Sequence, residues 1–467
     1  MRYLALGSTR DIGASCHYLN LAGTGVVLDA GVDPETDGRE SLPALSLIQH
    51  RMERPVDHVV ISHAHHDHMG ALPVLLQQHP HAGLHLTPAT ALLAEVLLPA
   101  SARLQRRKML EGSSTAAPLF DRETAEAVAY LWEVHDLEED FDLRGTRGTA
   151  AVTGRFYHAG HTLGAAGVLV EVERDGPPWR LFYTGDVHLR NQAILPGADL
   201  PEPGVDVLLL DSTTGADEEA ERTTRKEQEE RLGEAVARVV ARGGSVLIPA
   251  FALGRAQDTL ALIDRYKRRG LVPAETPVYT TGQMRAVADL YDRTRYTTPR
   301  LDEEFEVFGV EQKRHPRSDE ALKELLRTPG IHVASSGMLF ERTLSNKLAQ
   351  LMVEDERNGI FFVGFAKEHS PGARLLAAAA EGKGTEVLLD ATNGTQAQPV
   401  NAEVVRFRFS GHAHRRDLVE VVERVRPKKV VLVHGETEAK AWLRDAIRQS
   451  DPGVEVVLPE QGEEVEL

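Results

Sequence analysis

Four side chains that can bind a metal ion fall within six consecutive positions of this sequence, at His63, His65, Asp67 and His68. Neutral imidazoles and carboxylates are the ligands that a borderline divalent metal prefers, zinc first and iron or manganese next. A surface turn that is rich in histidine by chance is the alternative interpretation. A chance cluster is a poor explanation for so many potential ligands directly after an apolar run. The pattern therefore predicts a metal site.

Two elements must hold this run in place. Residues 57–61 are a short apolar run, which predicts a buried strand before the histidines. Residues 69–79 carry leucines at helical spacing, which predicts a helix after them. Because the loop between a strand and a helix is fixed at both ends, it can aim several side chains at one point.

Four more residues are considered for the same site. His158 and His161 lie in a turn of small residues at 157–167, where the backbone can approach an ion closely. We expect His161 to be a ligand and His158 to pack or cap. Asp186 follows a strand and a glycine, where its carboxylate could bridge two metals. Asp29 ends another apolar strand and either orients the metal loop or forms a turn.

Composition sets the class of protein. A chain of 467 residues is too long for one core and predicts two or three domains. The net charge of -17 argues against a general nucleic-acid coat, although bound metal and local basic patches can reverse the field at a site. Cys16 is the only cysteine, and neither a signal-peptide core nor an apolar run of about 20 residues is present. A reducing, cytoplasmic location without membrane insertion is therefore expected.

The second half of the chain predicts an inserted domain. Strands alternate with helices over residues 205–390, which indicates a mostly parallel sheet and a separate α/β domain. Before this stretch, helices are expected at 88–102 and 122–134, and after it the last strand is expected at 454–458. The predicted limits are 1–210 for the first part of one domain, 211–395 for the inserted domain, and 396–467 for the C-terminal part of the first.

Asp29, the run from His63 to His68, His161 and Asp186, in this order, resemble the four successive motifs of the metallo-β-lactamase superfamily. The resemblance implies an αββα sandwich with a two-metal site at the edge of its sheets. It also implies that one zinc is held by His63, His65 and His161, that the second is held by Asp67 and His68, and that Asp186 bridges them. Thioesterases, lactonases and nucleases share this fold, so the motifs alone do not select a reaction.

The rest of the chain resembles the β-CASP nucleases of that superfamily. Asp211, His412 and His434 match their three extra motifs, an acidic residue and two histidines. Residues 247–257 and 334–338 resemble two further signatures of the inserted β-CASP domain. A histidine at position 434 resembles the RNA-cleaving branch, because the DNA-cleaving branch has valine there. The fold class implied over essentially the whole chain is α/β, an αββα sandwich with an inserted parallel-sheet β-CASP domain.

The implied activity is a zinc-dependent ribonuclease. Two Zn²⁺ ions about 3.5–4 Å apart would neutralise the scissile phosphate and hold a bridging hydroxide. His412 is expected to protonate the leaving 3′ oxygen, with Asp211 orienting its ring. His434 is expected to complete the second zinc's shell beside Asp67 and Asp186. The products would be a 3′-hydroxyl and a 5′-phosphate.

RNA contacts are harder to assign. Arg255, near a predicted helix start, could meet a phosphate or could pair with the acidic background. Ser335 and Ser336 are candidates by the same resemblance. Each of three basic runs can be interpreted either as a solvated helix end or as an RNA contact, and these are residues 103–108, 265–269 and 426–429. Single-stranded RNA is the expected partner, because a cleft between domains fits one strand better than a duplex. The sequence is also compatible with a homodimer.

Three other functions remain as alternatives. A small-molecule hydrolase would share the metal core, but Asp211, His412, His434 and the inserted domain speak against it. A DNA nuclease of the β-CASP family would differ in substrate. A non-catalytic RNA-processing scaffold would have lost metal ligands, and this sequence retains them. The mode of cleavage, internal or from an end, does not follow from the sequence.

Overall fold

The computed structural model describes residues 1–49, 55–364, 366–392 and 396–467. Its contacts define two compact units. The first comprises Met1–Asn191, Pro196–Glu218 and His412–Leu467, and the second comprises Gln192–Leu195 and Glu219–Gly411. The domain limits at residues 210 and 395 stay a prediction, and a strand beyond residue 395 belongs to the sheet of the second unit.

Strands and helices are numbered here in chain order. Within the described residues the strands are β1 (Arg2–Ala5), β2 (His17–Leu21), β3 (Thr24–Leu28), β4 (His58–Val60), β5 (Gly83–Leu86), β6 (Trp132–Val134), β7 (Asp140–Asp142), β8 (Val152–His158), β9 (Ala166–Val172), β10 (Trp179–Tyr183), β11 (Val207–Asp211), β12 (Val246–Pro249), β13 (Val278–Thr280), β14 (Gln312–Arg314), β15 (Ile331–Ala334), β16 (Gly359–Phe362), β17 (Glu386–Val387), β18 (Gln398–Pro399), β19 (Glu403–Arg406), β20 (Lys429–Val433), β21 (Glu455–Val457) and β22 (Glu464–Glu466). Over the same residues the α-helices are α1 (Ser46–Gln49), α2 (His66–Met69), α3 (Leu72–Gln78), α4 (Pro88–Leu110), α5 (Arg122–Ala127), α6 (Arg225–Ala241), α7 (Arg255–Arg268), α8 (Gly282–Arg293), α9 (Asp319–Leu325), α10 (Leu344–Met352), α11 (Pro371–Glu381), α12 (Arg415–Val425) and α13 (Thr437–Ser450).

The first unit contains two seven-stranded sheets, in the orders β22-β1-β2-β3-β4-β5-β6 and β21-β20-β11-β10-β9-β8-β7. Leu28 of the first sheet and Leu209 of the second belong to one core cluster between the sheets. Leu208 and Leu210 point to the opposite face, because side chains alternate along a strand, and they pack in a second cluster with α12 and α13. The predicted α/β sandwich is confirmed.

Strand direction gathers the candidate residues at one edge. In the second sheet β10, β11 and β20 are parallel neighbours, so their carboxyl ends lie side by side. Asp186 follows β10, Asp211 is the last residue of β11, and His434 follows β20. In the first sheet β3 and β4 are also parallel, and they lead into Asp29 and into the run that starts at His63.

The second unit is built on a six-stranded sheet in the order β14-β13-β15-β12-β16-β19. Every neighbouring pair in it is parallel, as the alternation of strands and helices predicts. Leu247 and Ile360 of this sheet pack with Leu348 of α10 and Leu375 of α11 in one apolar cluster.

Several predicted elements have different limits. Helix α4 continues through the basic run to Leu110, because arginine, lysine, leucine and methionine all favour a helix. The helix expected over 122–134 ends at Ala127, and residues 132–134 form β6, which pairs with β5. That pairing overrides local propensity. Strand β22 follows the last predicted strand and pairs with β1. None of the helices in the described part of the chain is long and apolar enough to cross a membrane.

Candidate metal centre

The first group of candidate ligands surrounds one point in the first unit. His63 Nε2 lies 3.1 Å from His65 Nδ1, which lies 3.0 Å from His161 Nε2. Asp186 Oδ2 lies 3.5 Å from the His63 nitrogen and 3.4 Å from the His161 nitrogen. Zinc–nitrogen bonds of about 2.0–2.1 Å give a tetrahedron with edges of roughly 3.3–3.4 Å. The four atoms therefore enclose a space the size of a zinc ion. His158 instead contacts the carbonyl of Pro196.

A second group shares Asp186 with the first. His68 Nε2 lies 3.2 Å from His434 Nε2, which lies 3.4 Å from Asp67 Oδ2. The other carboxylate oxygen of Asp186, Oδ1, lies 3.3 Å from His68 Nε2. One oxygen of Asp186 thus faces each group, which is the arrangement that a bridging carboxylate requires. The donor set of imidazoles and carboxylates suits two borderline divalent ions.

Hydrogen bonds indicate which ring nitrogen faces the centre for two of these histidines, His63 and His68. Asp29 is fully buried and accepts from His68 Nδ1 at 2.7 Å, from the Ser62 backbone N–H at 2.7 Å and from the Tyr183 hydroxyl at 2.6 Å. The Ser62 hydroxyl donates to Asp29 and accepts from His63 Nδ1 at 3.0 Å. With both Nδ1 atoms donating, His68 and His63 each turn Nε2 toward the ligand groups, and an ion bound there would take the place of any hydrogen on that nitrogen.

The charges of the site favour a cation. Burial, and next the neighbouring imidazole of His68, hold the pKa of His63 well below its ordinary value, so its ring is neutral. Burial also opposes charge on His434, but the carboxylates of Asp186, Asp211 and Asp67 outweigh it and raise the pKa of His434 to about 10. Carboxylates that hold a proton this strongly also attract a metal ion to the same place.

His412 differs from the ligand histidines in its contacts. Its Nδ1 donates to Asp211 Oδ2 at 2.9 Å, and its Nε2 lies 3.9 Å from Asp186 Oδ2. Its side chain is 19 % exposed, against 3 % for His434. Burial disfavours the charged ring, but Asp186 and Asp211 outweigh it and raise the pKa of His412. The arrangement presents a ring that can carry a proton, held from behind by a carboxylate.

Several positioning contacts were not predicted from the sequence. Thr213 Oγ1 donates to Asp211 Oδ1 at 2.6 Å and lies 3.0 Å from His434 Nδ1, so it links the two. His188 Nδ1 donates to the backbone carbonyl of His412 at 3.0 Å. The only sequence signal for His188, and for Tyr183 beside Asp29, is that both lie within three residues of Asp186.

The predicted RNA contacts lie in the second unit. Arg255 is buried, and its guanidinium donates to Asp258 at 3.2 Å and to the Phe409 carbonyl at 3.1 Å. These internal partners favour a structural role for it. Ser336 Oγ accepts from a backbone N–H at 2.9 Å, and Ser335 precedes it at the end of β15. Their contact with RNA stays a prediction.

Three family models match successive segments of the chain. The metallo-beta-lactamase superfamily model matches residues 10–213 and the Beta-Casp domain model matches residues 256–375. A model described as a Zn-dependent metallo-hydrolase RNA specificity domain matches residues 397–459. The first segment contains Asp29 to Asp211, and the last contains His412 and His434.

Curated relatives are similar over nearly the whole chain. Cleavage and polyadenylation specificity factor subunit 3 of Dictyostelium discoideum is 28 % identical over 99 % of this chain and 57 % of its own length. Endoribonuclease YSH1 of Eremothecium gossypii is 29 % identical over 96 % of this chain and 56 % of its own. Transcription termination factor FttA of Methanothermobacter thermautotrophicus is 29 % identical over 96 % of this chain and 69 % of its own length. The chain spans well under two thirds of the length of the first two.

A solved structure supports the fold independently. A protein of unknown function from Enterococcus faecalis V583 matches with a TM-score of 0.56 over 100 % of both chains. The sequence identity is 15 %, so the match shows a shared fold and carries no argument about activity.

Proposed function

The chain belongs to the metallo-β-lactamase superfamily and to its branch with a Beta-Casp domain, and from this premise we propose that it is a zinc-dependent ribonuclease. The observation that carries the proposal is two groups of ligand atoms that share Asp186, together with the hydrogen-bonded pair of His412 and Asp211 next to them. Hydrolysis of an anionic phosphodiester needs charge neutralisation, an activated water and a proton for the leaving oxygen. This arrangement supplies a residue or a group of ligands for each need.

We assign two zinc ions to the chain. His63, His65 and His161 would hold one, Asp67, His68 and His434 would hold the other, and Asp186 would bridge them. When bound, such ions neutralise a scissile phosphate and lower the pKa of a bound water to about 7. Asp29 positions His68 by the hydrogen bond to its Nδ1.

His412 is the proposed proton donor. Its Nδ1 is held by Asp211, so Nε2 is the atom that carries the proton toward the ligand groups. Its side chain is 19 % exposed, whereas the ring of His63 is fully buried, and a proton donor must be within reach of its substrate. The pKa of His412 is raised, which favours the protonated ring that an acid requires. The departing 3′ oxygen receives the proton, and the products are a 3′-hydroxyl and a 5′-phosphate.

RNA is the proposed substrate. The matched segment that contains His412 and His434 is described as an RNA specificity domain, and one relative is named an endoribonuclease. A small-molecule hydrolase would leave the His412–Asp211 pair unexplained. A scaffold without activity would not need the intact ligand groups. A cytoplasmic location and a preference for single strands belong to the proposal as well.

A labelled-RNA cleavage assay tests the proposal, with His65→Ala and His66→Ala as a matched pair. His65 belongs to the first ligand group, whereas the neighbouring His66 is exposed and its Nε2 contacts Ser101 Oγ at 3.3 Å. We expect the wild type to cut 5′-labelled single-stranded RNA and leave duplex DNA intact. His65→Ala should lose metal and activity, and His66→Ala should keep both.

Two outcomes would contradict the proposal. Equal rates on duplex DNA and single-stranded RNA would contradict the preference for RNA and favour a DNA nuclease. Full activity in a His65→Ala protein shown by mass spectrometry to lack metal would show that the reaction does not depend on the metal. The sizes of the labelled products from the same gel distinguish cleavage within the RNA from cleavage at its ends.

A further inference from the structure

Another group of metal-binding side chains lies on the first sheet and shares no residue with the centre described above. His85 is in β5, Glu133 is opposite it in β6, and His135 follows β6 directly. One ligand atom of each lies within 4.8 Å of the others. We propose that His85, Glu133 and His135 form an additional site for a divalent transition metal, with zinc as the expected ion.

The hydrogen bonds behind His85 select the nitrogen that faces this site. His58 Nε2 lies 3.4 Å from the Arg144 carbonyl, which can only accept, so this nitrogen carries the hydrogen. His58 Nδ1 is then an acceptor, and His85 Nε2 donates to it at 2.9 Å. The remaining nitrogen of His85, Nδ1, is left with a bare lone pair, and it faces His135 Nε2 at 3.0 Å. A ligand histidine whose other N–H is held by such a chain is the usual arrangement in metal sites.

Spacing supports the same conclusion. The 3.0 Å between His85 Nδ1 and His135 Nε2 equals the distance between His65 Nδ1 and His161 Nε2 in the first ligand group. Phe141 stacks on both rings of the new site, at interplanar angles of 16° on His85 and 15° on His135. The stacking restrains the orientation of both rings, which lowers the entropy that they lose when an ion binds.

The charge at the site suits a cation. Burial, and next the imidazoles of His58 and His135, lower the pKa of His85 to about 3, which disfavours a charged ring. Burial lowers the pKa of His135 as well, against the carboxylates of Glu133 and Glu139. Neutral imidazoles next to carboxylates leave a negative balance that an ion would compensate.

A bound ion would fasten an edge strand. Strand β6 is the last strand of its sheet, has only three residues, and pairs with β5 alone. Coordination by His85 from β5 and by Glu133 and His135 from the β6 segment would join the two strands by bonds stronger than their backbone hydrogen bonds. The competing explanation is that His135 Nε2 donates one hydrogen bond to His85 Nδ1 and Glu133 stays in solvent, in which case no metal binds.

A metal count on the whole chain separates the two explanations. Wild type, His135→Gln and Glu133→Gln are saturated with zinc, passed through a desalting column and counted by mass spectrometry. His315→Gln is the matched control, because His315 Nε2 lies 3.2 Å from His332 Nδ1 but this pair has no third ligand within the described residues. We expect His135→Gln to lose one zinc per chain relative to the wild type, and His315→Gln to lose none.

Glu133→Gln guards against a variant that fails to fold, since this side chain is exposed. It should lower the affinity of this site for zinc by on the order of tenfold or more, as measured in competition with a chelator. An anomalous-scattering peak at the zinc edge between His85 and His135 would support the site directly. Equal counts and equal chelator competition in wild type, His135→Gln and Glu133→Gln would overturn it. The readout is metal content, so the result does not depend on the proposed ribonuclease activity.

Discussion

Replacing His412 by alanine tests the division of work between the proton donor and the ligands. The variant removes a ring whose nearest carboxylate oxygen in the ligand groups is 3.9 Å away, whereas the atoms within each group lie about 3.0–3.5 Å apart along most edges. The ligand groups therefore stay complete. Asp211 loses its partner at Oδ2, but the Thr213 hydroxyl and backbone N–H still donate to Oδ1, so the buried carboxylate keeps two hydrogen bonds.

The expected magnitude follows from the role. A positioned general acid contributes about 10²–10⁴-fold to the rate, which corresponds to roughly 2.7–5.4 kcal/mol of activation free energy. His412→Ala should lose rate by this factor and keep the metal content of the wild type. Asp211→Asn should lose less, since the amide oxygen can still accept from His412 Nδ1 while the charge that favours the protonated ring is gone.

The assay compares two substrates under single-turnover conditions. One is ordinary RNA, and the other carries a 3′-bridging sulfur at the cleavage site, where the leaving thiolate needs no proton. Metal content is measured on the same protein samples. His412→Ala should be slow on the oxygen substrate and recover most of its rate on the sulfur substrate, relative to the wild type.

Either of two results would refute the reasoning. If the rate on the sulfur substrate falls as far as the rate on the oxygen substrate, His412 positions the phosphate and does not donate the proton. If His412→Ala loses a metal ion while His434→Ala keeps both, the roles assigned to these two histidines are interchanged.

Three further predictions use the same protein. His434→Ala should lose metal or metal affinity with no recovery on the sulfur substrate, because its Nε2 lies among the second ligand group; the same count and assay measure both. His188→Ala should keep its metal and slow cleavage by about tenfold, because the hydrogen bond to the His412 carbonyl holds that loop, and an unchanged kcat would contradict this. Burial lowers the pKa of Lys440 to about 8, whereas the pKa of a lysine in the unfolded chain is about 10.4. The buried charge therefore lowers the free energy of unfolding below about pH 8. This loss disappears as the pH rises to about 10.5. In urea unfolding the wild type should therefore gain up to about 3 kcal/mol relative to Lys440→Met over that range, and parallel pH curves would exclude this.

The sequence by itself indicated the candidate ligands and the architecture that carries them. His63, His65, Asp67 and His68 are local in the chain, and the strand before them ends at Val60, where the apolar run predicts it. The alternation of strands and helices after residue 205 predicts the parallel sheet of the second unit, because parallel neighbours need a crossover connection. Local spacing and strand direction are sufficient for both.

The tertiary structure shows which distant residues are in contact, whereas the family resemblance only implied some of these pairs, such as Asp211 with His412. His68 and His434 are 366 positions apart, and Asp211 and His412 are 201 apart, yet each pair is in contact. No local pattern reports that Asp29 accepts from His68, that His188 holds the His412 loop, or that Arg255 is buried against Asp258. The group of His85, Glu133 and His135 belongs to the same class, because its members lie near in space only through the pairing of β5 with β6. A sequence records side chains in chain order, whereas hydrogen bonds and coordination depend on which strand ends the sheets bring together.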